Sequence, residues 1–127
     1  MTDEMPAAAL FAPAGGWRVR ILDLSGGAED RVVEEIGGFG SLMHANAFAS
    51  RYVRDSVERC RAPGLGAQEV LQTWLAFGED AEVVDVGEQG WRSAAEVAVF
   101  AREPAAAEAR NWRAIDPRAI GAEELEA

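Results

Sequence analysis

A chain of 127 residues fits one domain with room for a real core. Its 49% hydrophobic share and four tryptophans exclude a disordered polymer, and a net charge of −10 excludes a broad phosphate-neutralising surface for nucleic acid. The one cysteine, Cys60, excludes an internal disulfide and a cysteine-rich zinc site.

Residues 1–15 read as an N-terminal arm rich in Ala and Pro, with Leu10 and Phe11 available to tuck against the domain. Asp3 and Glu4 replace a basic leader region, and no apolar run is long enough for a membrane span, so a cytoplasmic protein with no membrane partner is expected. Trp17 to Leu24 alternates at its start, placing Trp17, Val19 and Ile21 on one face and Arg18 and Arg20 on the other, as a strand does. Turn residues follow at Ser25-Gly26-Gly27-Ala28, then a second strand over 31–36, which makes an antiparallel hairpin the economical pairing. Gly37-Gly38 is expected to end it.

The longest helical pattern spans 41–62, with Ser41 as N-cap and Ala62-Pro63-Gly64 as the stop. Leu42, Ala45, Ala49, Tyr52, Val53, Ser56, Val57 and Cys60 share one broad face at about 100° per residue. The small residues among them allow close approach to a sheet. His44, Arg51, Arg54, Asp55 and Glu58 fall opposite, on a face expected to meet water or, through Arg51 and Arg54, an acidic partner. His44, the only histidine, is thereby kept apart from the only thiol, against a Cys–His pair.

Ala67 to Phe77 reads as a second helix stopped by Gly78, and residues 81–86 as a third strand. A third helix is expected over 93–103, opened by a Ser93/Glu96 capping box and ended by Pro104. Gly38-Phe39-Gly40-Ser41 and Gly90-Trp91-Arg92-Ser93 echo one another, each an aromatic before a serine that could cap a helix. The expected fold is α+β: one domain over 16–104, with a three-stranded, mostly antiparallel sheet packed on one face by a long central helix and two shorter ones. Residues 105–127 read as an acidic Ala/Glu-rich tail, frayed with one or two side chains docked on the domain, and an interaction role for it implies that its removal leaves the domain folded. In that tail Trp112 and Ile115, three apart, could insert into a partner's groove.

No catalytic set, cofactor motif or metal motif stands out. The pattern points to a small acidic interaction module without catalytic activity, a regulator, adaptor or accessory subunit with a protein partner, for which the acidity favours a basic one. Its candidate contacts are Trp112, Ile115, Arg51, Arg54 and the acidic rim Glu79, Asp80 and Glu82. Two alternatives remain. A small enzyme or ligand- or metal-binding domain would use the Glu79–Glu88 carboxylates, with at least two of Glu79, Asp80 and Asp85 in one pocket. An acidic mimic of nucleic acid would instead space carboxylates like phosphates along one surface.

Overall fold

A computed structural model of the chain describes residues 15–26 and 31–119. The arm with Leu10 and Phe11, the hairpin tip 27–30 and the segment from Ile120 onward lie outside the described residues. Strand β1 (Trp17–Asp23) pairs antiparallel with β2 (Arg31–Phe39) on one side and antiparallel with β3 (Glu79–Val83) on the other, giving the order β2-β1-β3. The long helix α1 (Leu42–Arg59), the helix α2 (Ala67–Phe77) and the short α3 (Val97–Arg102) complete an α+β fold.

The alternation along β1 decides which side of the sheet is covered. Trp17, Val19 and Ile21 are buried, and Ile36, Ala81 and Val83 from the neighbouring strands join them beneath the helices. On the outer face Arg20 stands opposite Glu35 on one side and Glu82 on the other, with ion pairs of 3.4 and 3.5 Å. Arg18 bridges Glu35 at 3.1 Å and Asp85 at 2.6 Å. Pairs this exposed contribute at most about 1 kcal/mol each, so the ladder sets register more than stability.

Against α1 the sheet meets Ala45, Ala49, Val53 and Val57, all fully buried. The alanines bring the helix close, and each buried valine contributes about 1.5–3 kcal/mol. Ser41 caps α1 as expected, its Oγ accepting from the His44 backbone N–H at 3.0 Å. Helix α2 has the expected bounds, and the Trp74 ring folds back over Gly78. A Cβ at Gly78 would sit 2.3 Å from Trp74 Cδ1, so only glycine fits there.

Four elements differ from expectation in their bounds, and α1 is one of them, stopping at Arg59 with Cys60 as its cap and not at Ala62. Strand β2 runs on to Phe39 because Gly37 and Gly38 form a bulge between the Trp17–Phe39 and Val19–Ile36 pairs. Gly38 takes φ +92°, where glycine is at ease. Strand β3 starts at Glu79, paired with Asp23, and stops at Val83, after which Asp85 turns the chain at φ +66°. Helix α3 starts at Val97 instead of Ser93. Residues Ser93–Ala95 form a 3-10 turn without a side-chain cap, and the Glu96 carboxylate accepts the Trp91 indole N–H at 3.0 Å. The two echoed segments therefore differ: Ser41 caps a helix and Ser93 does not.

Beyond Glu103 the chain returns across α1 in two 3-10 turns, Ala107–Arg110 and Trp112–Ile115. The part of the acidic tail that is described thus packs on the domain as a strap. Among the described residues no helix is long and apolar enough to cross a membrane.

Candidate functional site

The strap and the polar side of α1 meet at Asp55. This carboxylate is only 7% exposed. Oδ1 accepts from Arg110 Nε at 2.7 Å, while Oδ2 accepts from Arg59 and from the Trp112 indole N–H, both at 3.1 Å. Burial alone would push its pKa up, but the three donors outweigh it and hold the carboxyl below its usual range. Trp112 lies against Phe48 and Tyr52, with ring centroids 5.7 and 5.0 Å away, and Ile115 packs on the core. The Ile115 carbonyl accepts from His44 Nε2 at 2.6 Å, and the His44 ring meets Phe39 edge-on. His44 is therefore half-buried beneath the strap, not standing out in water. Along the helix it lies about 24 Å from Cys60, by rise per residue.

Arg51 and Arg54 face the same strap. Arg51 donates to the Asn111 carbonyl at 3.1 Å. Arg54 donates to the Glu103 carbonyl at 2.9 Å and lies over the Phe100 ring, 4.7 Å from its centroid. Two halves of the anticipated interaction, an arginine-bearing helix face and a Trp-bearing segment, thus engage one another within the chain. Glu58 closes the strap's near end, accepting from Arg61 and from the Ala105 N–H. Arg118 closes the far end, paired with Asp116 and with Glu34 of β2.

Glu79 sits elsewhere, where α1, α2 and β3 converge. Its Oε1 accepts the Tyr52 hydroxyl proton at 2.6 Å, its N–H donates to Ser56 Oγ, and its carbonyl accepts from the Trp74 indole. Burial, then the hydrogen bond to the carboxylate, pushes the Tyr52 phenol well above its ordinary value, so it is held protonated. Beside this junction a hollow of about 300 Å³ is lined by Ser56, Arg59, Cys60, Thr73, Phe77, Gly78 and Glu79. Cys60 is half-buried there, and burial pushes its thiol up, away from the reactive thiolate.

The remaining acids are dispersed. Asp80 accepts from the Ala81 N–H, and with Glu82 it lines a separate hollow of about 190 Å³ beside Arg92. Glu82 is bonded by Arg20 and Arg92. Glu79 and Asp80, neighbours in sequence, open into different hollows because strand neighbours point to opposite faces. Asp85 lines neither. Among the described residues no three His, Cys, Asp or Glu side chains gather as a metal ion requires. Asp55 and Phe77 are not among the contacts the sequence suggests: the pattern puts the first on the solvated face of α1 and the second at the last position of α2.

Comparison of the chain with protein-family models, with curated proteins and with solved structures finds no match.

Proposed function

We propose that the protein is a cytoplasmic, non-enzymatic interaction module, a regulator or accessory subunit, that docks a basic protein partner at the C-terminal end of α2. The observation that carries this reading is Phe77. It is 72% exposed at the rim of the Ser56–Glu79 hollow, and Leu75, in the same turn, is 55% exposed. An exposed aromatic beside a hollow with a carboxylate on its wall has the makings of an interface anchor. Glu79 offers its charge to an incoming arginine or lysine, since Arg59 across the hollow is already paired with Asp55. The net charge of −10 supports steering of such a partner.

The test is capture from the native host with wild-type protein and with Phe77→Ser. An exposed substitution changes stability by no more than about 0.5 kcal/mol, so the melting curve should hold. Expected is the loss, in the variant, of a co-purifying basic protein whose capture also weakens with salt. The same set of captured proteins from both forms sinks the reading.

A further inference from the structure

One surface of this acidic chain gathers positive charge. Arg110, Asn111 and Arg113 line a depression of about 500 Å³ on the strap, floored by Asp55 and walled by Ala105 and Ala107. Asp55 does not make it an acidic site, because Arg59, Arg110 and Trp112 already occupy both its oxygens.

The donors that remain point to a ligand of opposite charge. Arg110 commits only its Nε to Asp55, and no bond to its two terminal amino groups is seen among the described residues. Arg113 forms no ion pair among the described residues; its guanidinium carbon lies over the Trp112 ring, 4.3 Å from the centroid. Cation–π attraction holds that guanidinium on the ring face without using any of its N–H donors. Asn111, also on the lining, uses its Oδ1 to accept from the Ala114 N–H, which leaves the amide's NH2 group as a further donor. Planar guanidinium forks match oxyanions in a bidentate manner, and two of them flanking one amide suit a tetrahedral, doubly charged one. The alanine walls leave room beside the anion for an organic group.

We propose that this depression binds an oxyanion of the phosphate class, held by Arg110 and Arg113 with Asn111 as third donor. The site is independent of the Phe77 hollow, so either can fail alone. The experiment titrates the full chain with inorganic phosphate, and separately with phosphoserine, at ionic strength held constant with chloride. The readout is the indole N–H resonance of Trp112, which lies directly under Arg113. A saturable shift is expected. Arg113→Gln should weaken it at least about tenfold, the loss one charge-assisted hydrogen bond carries, with an unchanged melting curve. Arg102→Gln, on an exposed arginine at the end of α3, should leave it intact. Tighter binding of phosphoserine assigns the room beside the anion to an ester's organic group, and tighter binding of phosphate assigns the free ion. A shift that rises without saturating, or that survives Arg113→Gln, overturns the proposal.

Discussion

Asp55 shows how far a helical wheel reaches at the level of one residue. The wheel places it among Arg51, Arg54 and Glu58 on the polar side of α1, and its spacing to Arg59 reads as an ordinary surface pair. That pair does form, at 3.1 Å. What no local pattern could show is that Arg110 and Trp112, more than fifty positions later, close over it. Burial then changes the energetics, because a carboxylate removed from water depends on its donors. Asp55→Asn keeps the shape but leaves two guanidinium groups without their anion. It should cost about 2–3 kcal/mol in urea unfolding, with the Trp112 fluorescence altered before any urea is added. A change under about 0.5 kcal/mol, the surface-residue norm, would mean that the contact contributes nothing.

Periodicity alone sufficed for the elements whose partners are near in sequence. The bounds of α2, the Ser41 cap of α1 and the β1–β2 hairpin were all legible, since each depends on residues within a turn or a short connection. The early start of β3 and the late start of α3 were not, because pairing with Asp23 and the Trp91–Glu96 bond decide them. The strap is the element least legible in the sequence. Its Ala- and Glu-rich composition resembles a tail, and its anchors act through single contacts that have no period: Trp112 on Phe48 and Tyr52, Arg110 on Asp55, Ile115 on His44. Ending the chain at Pro104 is accordingly expected to destabilise the domain, contrary to the reading of a dispensable tail. It uncovers Phe48 and Tyr52 and leaves Asp55 with Arg59 alone. The loss of Trp112 contacts by themselves implies about 3 kcal/mol, and a marginal domain of this size loses some 10 °C or more of melting temperature for it. A truncated chain that melts with the full-length protein would show that the strap adds no stability.

At the scale of the molecule, the acidity is unevenly placed. All 12 arginines lie among the described residues, whereas seven of the 22 acids, Asp3, Glu4, Glu29, Asp30, Glu123, Glu124 and Glu126, lie outside them. The described residues are therefore close to charge balance, with most of their arginines on carboxylates or carbonyls, and stability is tied to keeping those carboxylates ionised. Asp55, Glu58 and Asp116 all have their pKa lowered, Asp55 by three donors that outweigh its burial, Glu58 chiefly by Arg61 and Asp116 chiefly by Arg118. For each, the unfolded chain takes up a proton at a higher pH than the folded one, so acid favours unfolding. Their contribution is complete above about pH 5 and fades as pH falls through the lowered values. Tyr52 and Cys60 work in the other direction: burial raises both, from 10.0 and 9.0, so the unfolded chain loses those protons first and base favours unfolding. The urea midpoint should be flat between about pH 5 and 9, drop on the acid side as Asp55, Glu58 and Asp116 protonate, and drop again on the alkaline side. The alkaline limb has its own optical signature, since Tyr52 is the only tyrosine and its phenolate absorbance should appear together with unfolding, not before it. Asp55→Asn should make the acid limb shallower and leave the alkaline limb alone. Midpoints that stay level down to about pH 3 would show that these ion pairs do not hold the strap in place.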